Sequence, residues 1–278
     1  MEFEYCLLFG AWDLVLMELS IIVTNYKTPE LLKLCLESIK LAGAGLDYEI
    51  SVLDSESREE TEEVLKESFP EIKLISFKKN IGYAKLVNAG LSRTSGRYIL
   101  ILNADIILFK DSLQKMVEYL EGNPKVGILG PQLLNFNGTV QESCFRFHRP
   151  LSIVYRRTFL GRTKWGKKEL ARFAMRDFDR QSIKEVDWLL GAALMLKKAA
   201  LEQVGPMDER FFLYFEDTDW CRRFWDKGWQ VVYFPEAKMH HYHGRLSKKT
   251  SSGLADLLVN KYTWIHIVSA IKYFLKYR

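Results

Sequence analysis

The sequence predicts an α/β protein in which a mostly parallel central sheet carries helices on both of its faces. Short apolar runs that suit strands alternate with amphipathic stretches that suit helices over residues 19–102, and βαβ units produce this alternation. The chain has 278 residues, of which 48% are hydrophobic, so it can form a core for one large domain or two small ones.

The first half of the chain contains the clearest alternation. The run Leu-Ser-Ile-Ile-Val is typical of a buried strand, and Thr28 suits the N-cap of the next helix because Pro29 occupies its first turn. Gly43 ends that helix. The predicted elements are a strand over 19–23, a helix between Thr28 and Gly43, a strand over 48–53, a helix over 61–68, a strand over 72–77, a helix ending at Gly90, and a strand over 97–102.

The second half alternates less regularly. Residues 135–184 contain many arginines and few strand signals, so we interpret them as a long excursion over the active face. The predicted elements are a helix over 111–122, a strand over 126–129 ending at Gly130-Pro131, regular structure over 186–196, a helix over 197–204 stopped by Gly205-Pro206, a helix from the acidic residues at 216 to Gly228, a strand over 230–234, and a helix over 254–277.

Polar residues at strand ends form the first candidate site. Asn25 and Asp54 follow the first two strands, and Asn80 and Asp105 follow later ones. Because the carboxyl ends of parallel strands meet at one edge of the sheet, these side chains should converge there. Asn and Asp also form turns and caps, which is the simpler explanation for any one of them alone.

The segment over residues 211–223 forms the second candidate site. It holds Glu216, Asp217 and Asp219 within four residues, between four aromatic side chains and two arginines. Buried carboxylates are costly, and an apolar wall raises a carboxyl pKa while an arginine lowers it, so this setting suits a catalytic acid or base. The alternative is a solvated acidic turn that opens a helix, with Asp217 near the positive end of the helix dipole.

Charge and cysteine content narrow the class of protein. The net charge is +5, but residues 146–184 carry +9 and residues 238–278 carry +7, which leaves the remaining chain at −11. Two basic zones on an acidic body indicate a surface for phosphates or anionic lipid. The four cysteines lie far apart without a Cys-x-x-Cys pair, which argues against a disulfide framework or a thiolate zinc site and favours a reducing compartment. No apolar run approaches the roughly 18 residues of a membrane span.

The last predicted helix combines an apolar face with basic residues. Lysines stand at 261, 272 and 276 along this helix, and such a composition suits a membrane surface. The alternative is a C-terminal helix whose apolar face packs on the core. The residues on that face are Leu257, Leu258, Tyr262, Ile265, Val268 and Ile271.

In their order and spacing, the motifs of this chain resemble the family 2 inverting glycosyltransferases of the GT-A fold, in the subgroup that includes bacterial rhamnosyltransferases. The resemblance covers residues 18–247. Its motifs are Ser20-Ile21-Ile22-Val23-Thr24, Asp54-Ser55-Glu56-Ser57, Asn80-Ile81-Gly82-Tyr83, Asn88-Ala89-Gly90, Leu102-Asn103-Ala104-Asp105, Gly191-Ala192-Ala193-Leu194-Met195, and Glu216-Asp217-Thr218-Asp219 followed by the histidines.

The resemblance implies roles for individual residues. Thr24 and Asp54 look like contacts to the nucleoside of a nucleotide-sugar donor, and Asp217 matches the catalytic base. Ser55 and Arg58 depart from the Asn and Asp that the family usually has, so the base of the nucleotide stays open. The other donor-site residues are Asn25, Asn80, Gly82, Lys85, Asn88 and Asn103, and the acceptor-site residues are Trp188, Gly191, Ala192 and Glu216.

The resemblance also implies a divalent metal, Mg²⁺ or Mn²⁺. Asp105 matches the last residue of the family's Asp-x-Asp motif, and Asn103 replaces the first, which leaves one firm carboxylate ligand. His241 lies where the family has a histidine near the metal and the diphosphate, although His240 and His243 are near enough to take that place. A zinc pair of His241 and His243 is a weaker alternative because it lacks a third ligand.

The predicted function is therefore sugar transfer with inversion from a dTDP- or UDP-linked donor to a glycan or a polyprenyl-diphosphate-linked acceptor, in cell-surface polysaccharide or glycolipid synthesis. The acceptor hydroxyl must lose its proton as it attacks, which requires a carboxylate beside it. One rival is a nucleotidyltransferase, which would need a glycine-rich phosphate loop that residues 24–27 do not supply. The other is a non-enzymatic binder of membranes or nucleic acid.

The predicted organisation has three parts. Residues 1–17 form an N-terminal extension, residues 18–248 the GT-A domain, and residues 249–278 an amphipathic basic helix. We expect a cytoplasmic protein that associates peripherally with the inner face of the cell membrane through an anionic surface, and we expect no nucleic acid partner.

Overall fold

A computed structural model describes residues 18–242 and 260–278. Within these residues the elements are β1 (Leu19–Asn25), α1 (Pro29–Ala42), β2 (Tyr48–Ser55), α2 (Glu59–Ser68), β3 (Lys73–Phe77), α3 (Tyr83–Leu91), β4 (Tyr98–Asn103), β5 (Ile106–Leu108), α4 (Ser112–Gly122), β6 (Val126–Leu134), β7 (Cys144–Phe145), α5 (Pro150–Arg157), a 3₁₀ turn (Phe159–Arg162), α6 (Lys164–Phe173), β8 (Lys184–Glu185), β9 (Trp188–Leu189), β10 (Ala193–Lys197), α7 (Lys198–Val204), α8 (Glu216–Asp226), β11 (Gln230–His241) and α9 (Lys261–Lys276).

The main sheet has the strand order β3-β2-β1-β4-β10-β6-β11-β5, and β8 pairs with β11. The first four strands in this order run parallel to one another. Strand β10 lies antiparallel between β4 and β6, and β11 runs parallel to β6. The predicted α/β class with a mostly parallel sheet is confirmed.

The two faces of the sheet bury separate core layers because successive strand residues point to opposite sides. Ile21 and Val23 of β1 join one layer, which Leu36 of α1 and Met116 of α4 also enter. Ile22 joins the other layer, together with residues of α3 and α8 such as Val87, Trp220 and Phe224. Helices therefore cover both faces, as the sequence predicts.

The strand register brings the predicted polar residues to one edge of the sheet. Asn25 at the end of β1 pairs with Asp54 near the end of β2, and Thr24 pairs with Asn103 at the end of β4. These ends are carboxyl ends of parallel strands, where the ligands of such sheets bind.

Strands β6 and β11 extend furthest beyond their predicted ends, while β1 and β2 exceed theirs by two residues each. The strand predicted to end at Gly130-Pro131 continues to Leu134, because β11 goes on pairing beside it after β10 has left at Leu129. The strand predicted to end at Phe234 runs on to His241 because a bulge between Phe234 and Lys238 absorbs the intervening proline. His241, the candidate metal ligand, therefore lies at the end of strand β11 and not in a loop.

The predicted excursion over residues 135–184 contains two helices, α5 and α6. It lies beside the acidic segment, since the His148 ring contacts the Phe215 ring in a tilted arrangement at 4.6 Å between centroids and Ile153 packs with Phe211 and Phe215.

The terminal helix packs in an unexpected orientation. Thr263, His266, Ser269 and Tyr273 are buried, whereas Trp264, Val268 and Ile271 are exposed. The helix packs on the core through Ala270 and Tyr273, so the predicted apolar face is not its buried side. Of that face, Val268 and Ile271 are exposed, Tyr262 and Ile265 are half-buried, and Leu257 and Leu258 lie outside the described residues. No helix within residues 18–242 and 260–278 has the length and apolarity to cross a bilayer.

Candidate active site

Asn25 and Asp54 form a closed hydrogen-bonded pair at the end of β1 and β2. The Asn25 side-chain nitrogen donates to Asp54 Oδ1 at 2.9 Å, and the Ser57 hydroxyl donates to Asp54 Oδ2 at 2.6 Å. Both residues are buried. Each carboxylate oxygen of Asp54 therefore already has a protein partner, which fixes this side of the site.

Thr24 connects the same edge to the loop before β10. Its hydroxyl hydrogen-bonds Asn103 Oδ1 at 3.1 Å, and the Asn103 backbone N–H donates to the carbonyl of Ala192 at 2.9 Å. The predicted donor residues Thr24 and Asn103 therefore contact the loop that holds the predicted acceptor residues Gly191 and Ala192.

Gly82 allows the loop before α3 to approach the acidic segment. Its φ of +85° is left-handed, and a Cβ atom there would lie 2.6 Å from the Phe212 carbonyl oxygen, a conformation and a distance that favour glycine. The Asn80 side chain accepts from the Gly82 N–H at 2.9 Å, and the Tyr83 N–H donates to the same Phe212 carbonyl at 2.8 Å.

Tyr83 is a site residue that its sequence pattern does not single out, although it belongs to the motif Asn80-Ile81-Gly82-Tyr83. Its hydroxyl donates to the Gly191 carbonyl at 2.6 Å. Burial raises its pKa well above the ordinary value, and the charges of Glu216, Asp217 and Asp105 raise it further. Tyr83 therefore lies close to the three carboxylates that sequence reasoning placed in two separate candidate sites.

Asp217 is a buried carboxylate held by backbone amides. Tyr214 and Phe215 adopt left-handed φ values of 68° and 71°, which turn the chain sharply and start α8 at Glu216; such residues cost about 1–3 kcal/mol each and cluster at functional sites. Asp217 Oδ2 accepts from the Gly191 N–H at 3.1 Å, and Oδ1 accepts from the Thr218 N–H at 2.7 Å. Burial raises the pKa of Asp217 to about 6 against the lowering effect of these bonds.

The other two carboxylates of α8 differ from Asp217. Glu216 Oε2 has no hydrogen-bond partner among the described residues, and burial followed by the Asp217 charge raises the Glu216 pKa well above its ordinary value. Asp219 accepts from Lys276 Nζ at 2.5 Å, Tyr277 OH at 2.8 Å and Arg223 Nε at 3.0 Å. The exposed fractions of Glu216, Asp217 and Asp219 are 5%, 8% and 0%, so the alternative of a solvated acidic turn is wrong.

Asp105 and His241 face each other at the far side of Tyr83. His241 Nε2 lies 3.6 Å from Asp105 Oδ2, and the Tyr242 N–H donates to the Asp105 carbonyl at 2.9 Å. Asp105 Oδ1 is buried without a hydrogen-bond partner among the described residues. Burial raises the Asp105 pKa to about 6.

Gln141 sets the orientation of His241. Its side-chain nitrogen donates to the His241 carbonyl at 2.9 Å, so its oxygen accepts from His241 Nδ1, also at 2.9 Å. This arrangement makes Nε2 the acceptor nitrogen of the ring, directed at a carboxylate that is also an acceptor. Two facing acceptors suit a cation between them, and a hydrogen-bonded Nδ1 is usual for a metal-binding histidine.

Three selected residues lie apart from this group. The Asn88 side chain is bound to the backbone N–H and carbonyl of Met207, Lys85 is exposed on α3, and the buried Trp188 ring stacks on Phe145 at 4.5 Å. His243, which the zinc alternative requires, lies outside the described residues, and within them no group of three or more His, Cys, Asp or Glu side chains could hold a metal by itself.

Comparison with known proteins identifies the family. The family model for glycosyl transferase family 2 matches residues 20–182. The chain is 27% identical over 254 residues to an N-acetylglucosaminyl-diphospho-decaprenol L-rhamnosyltransferase of Mycobacterium tuberculosis, covering 85% of this chain and 80% of that protein. It is 26% identical to the dTDP-rhamnosyl transferase RfbF of Shigella flexneri, over 64% of this chain and 54% of that protein.

Solved structures share the fold at low sequence identity. A crystal structure of GalNAc-T7 with UDP, GalNAc and Mn²⁺ matches with a TM-score of 0.60 and 15% identity, covering 81% of this chain and 43% of that one. The nucleotidyltransferase and the non-enzymatic binder do not fit these findings. The family model spans more than half of the sequence, and this chain belongs to glycosyl transferase family 2, as a glycosyltransferase of the GT-A fold.

Proposed function

We propose that this protein transfers a sugar, with inversion, from a dTDP- or UDP-linked donor to an acceptor hydroxyl, and that Asp217 is the general base. The observation that carries this proposal is the surroundings of Asp217, a buried carboxylate that accepts from the backbone N–H groups of Gly191 and Thr218 and has a pKa of about 6. Such a group is mostly ionised at neutral pH and is a stronger base than an ordinary aspartate.

The reaction is a single displacement. The acceptor oxygen attacks the anomeric carbon, its proton passes to Asp217, and the bond between that carbon and the diphosphate oxygen breaks, with its electron pair leaving on the nucleoside diphosphate. Inversion requires the base and the leaving group to lie on opposite sides of the sugar. Asp217 at the start of α8 and Asp105 after β4, with Tyr83 near both, are consistent with this requirement.

The donor is proposed to bind along the strand ends. Thr24, Asn25 and Asp54 would contact the nucleoside, and their hydrogen bonds to one another and to Asn103 hold them in place. Asn80 and Gly82 would shape the pocket through the loop against Phe212. Asn88 would act indirectly through the Met207 backbone, and Lys85 is exposed and available to phosphate. Two comparisons support this choice of donors. RfbF is named a dTDP-rhamnosyl transferase, and the GalNAc-T7 structure contains UDP.

Asp105 and His241 fit a site for a divalent cation, Mg²⁺ or Mn²⁺. The donor diphosphate would complete the coordination of this cation. The unpartnered Asp105 oxygen and the acceptor nitrogen of His241 would be its two protein ligands, and Mg²⁺ is commonly held by one or two carboxylates together with substrate phosphates. When bound, the cation offsets the negative charge that develops on the leaving diphosphate.

The acceptor is proposed to be a glycan or a polyprenyl-diphosphate-linked sugar, in cell-surface polysaccharide or glycolipid synthesis. The mycobacterial relative, an N-acetylglucosaminyl-diphospho-decaprenol L-rhamnosyltransferase by name, supports this class. Gly191, whose N–H binds Asp217, would contact the acceptor together with its neighbour Ala192 and with Glu216, while the buried Trp188 would support them from behind. Such an acceptor places the protein at the inner face of the cell membrane, on the cytoplasmic side.

A panel of dTDP- and UDP-sugars tests this function, with release of free nucleoside diphosphate and the anomeric configuration of the product as readouts. We expect turnover of at least one donor, dependence on a divalent metal, and an inverted product. A product with retained configuration would contradict the single displacement and the role of Asp217.

A further inference from the structure

We propose that α5, the 3₁₀ turn, α6 and α9 together form a docking surface for anionic lipid bilayers. The biological role of this docking surface rests on the proposed function, because a lipid-linked acceptor is presented at a bilayer. The contact itself requires neither donor nor acceptor and can be tested without them.

The first observation is the stripe of apolar side chains that α9 leaves in solvent. Trp264, Val268, Ile271 and Leu275 have exposed fractions of 44–55%. Their spacing of four, three and four residues places them along one side of the helix. The buried side of the helix is mixed, with Thr263 and Ser269 beside Ala270 and Tyr273, so the apolar stripe is not needed to close the core.

The second observation is a similar pattern on α5, the 3₁₀ turn and α6. Phe159 and Trp165 are 78% and 75% exposed, and Leu151 and Val154 of α5 are also exposed. Large apolar side chains in water are unfavourable by an amount that grows with their area, and grouped exposed apolar residues mark interaction surfaces.

The two parts of the docking surface are neighbours in the fold. Ile153 of α5 packs into the cluster that contains Ala270 and Tyr273 of α9. Burial, and then the charges of Arg157 and Arg156, lower the pKa of His266 on α9 to about 3, which also places the end of α5 near α9.

Charge identifies the bilayer as the partner. Residues 149–172 carry a net charge of +7 and residues 261–278 a net charge of +4, on a chain whose total is only +5. Basic residues beside an apolar stripe with tryptophan are typical of helices that lie in the interface of anionic membranes. Nucleic acid would use the positive charge but would leave Leu151, Val154, Val268 and Ile271 without an apolar partner.

Helix α9 also connects the docking surface to both sides of the active site. Tyr262 in its first turn lies close to Tyr26 in the loop after β1, since burial and then the charge of Tyr26 raise the Tyr262 pKa, and Lys276 in its last turn binds Asp219 on the helix that carries Asp217. A bilayer that engages α9 would thereby orient the donor loop and the catalytic helix relative to the lipid.

Flotation of the full chain with vesicles, at low salt and without donor or acceptor, tests the proposal. We expect the protein to float with vesicles of mixed phosphatidylcholine and phosphatidylglycerol and to stay behind with phosphatidylcholine alone. Two double variants, Phe159→Ser with Trp165→Ser and Trp264→Ser with Ile271→Ser, should each lower the partition coefficient at least about tenfold, since binding scales with buried apolar area. Leu41→Ser, at a 75% exposed position on α1, is the matched control and should bind as the wild type does.

The proposal is overturned if the wild type fails to float with anionic vesicles, or if both double variants float as well as the wild type while circular dichroism shows them folded. The proposal is also overturned if light scattering shows a wild-type dimer that buries this surface. Preferential binding of the wild type to RNA over vesicles would overturn it as well. Turnover with a water-soluble acceptor separates the two proposals: flotation without turnover contradicts the function alone, and turnover without flotation contradicts the docking surface alone.

Discussion

Asp217 and Asp219 stand two residues apart on α8 and are both buried, yet their surroundings are opposite. Asp219 is enclosed by Arg223, Lys276 and Tyr277, all donating to its carboxylate. Asp217 accepts from the amides of Gly191 and Thr218 and has no cation bonded to it among the described residues. Asp219 therefore ties α8 to the C-terminal helix through these bonds, while burial raises the pKa of Asp217 to about 6, so Asp217 can take up a proton.

The difference has an energetic cost at Asp217. Its folded-state pKa of about 6 lies above the ordinary value of about 3.9, so the folded protein holds this proton more tightly than the unfolded chain does. The contribution to stability is present below the unfolded pKa and is lost as the pH rises to about 6. A protein that tolerates this loss at neutral pH uses the group for something besides stability.

The largest predicted effect comes from replacing Asp217. Asp217→Asn should lower turnover by about 10³-fold, within the range that general acid–base catalysis contributes. The asparagine amide cannot accept the proton of the acceptor hydroxyl. Donor affinity, measured by calorimetry, should stay near the wild-type value. If a tenth of the wild-type rate remains, Asp217 is not the base.

Asp105 extends the comparison to a second carboxylate without a bonded cation. Asp105→Ala should reduce turnover by about 10²-fold or more, since the metal site would lose its carboxylate, and it should weaken donor binding and metal dependence together. Titrations of donor affinity against Mn²⁺ for both proteins provide the measurement. Full wild-type activity in excess chelator would show that no metal is involved.

Asp219→Asn should affect stability more than chemistry. Removing one member of a buried ionic group costs about 3–5 kcal/mol because it leaves its partners uncompensated, so urea unfolding should show a large loss. Activity per folded molecule should fall far less than in Asp217→Asn. An equally inactive but fully stable Asp219→Asn protein would mean that the two carboxylates do not have separate roles.

The smallest predicted effect is at Tyr83. Tyr83→Phe removes the hydrogen bond to the Gly191 carbonyl, and this bond positions Gly191, whose N–H binds Asp217. Loss of a hydrogen bond of about 1.4 kcal/mol corresponds to a loss of about tenfold in rate. Steady-state kinetics should show the loss in kcat with little change in the donor KM. A larger change in KM than in kcat would place Tyr83 in donor binding instead.

Local sequence signals predicted the order of elements well because strand and helix periodicities are local properties. They did not predict the ends of β6 and β11, since pairing with a neighbouring strand and a bulge after Phe234 decide where those strands stop. Similarly, the spacing on α9 indicated an apolar face but not that Thr263 and His266 would be the buried ones.

The candidate site shows the same limit. Residues that follow strands, such as Asn25, Asp54 and Asp105, were predicted because topology fixes where strand ends meet. Gln141, which orients His241 from 100 residues away, carries no local signal at all. Tyr83 was passed over because a tyrosine at a helix start is ordinary until the fold brings Gly191 to its hydroxyl.

The pH dependence of kcat/KM tests the central claim about Asp217 most directly. Measured between about pH 4.5 and about pH 8.5 with a metal-saturated wild type, kcat/KM should be constant above about pH 7 and should fall below about pH 6 with a slope that approaches about tenfold per pH unit, because the base must be ionised to accept a proton. A rate that stays flat down to about pH 4.5 in protein that remains folded would contradict a buried aspartate with a raised pKa as the general base.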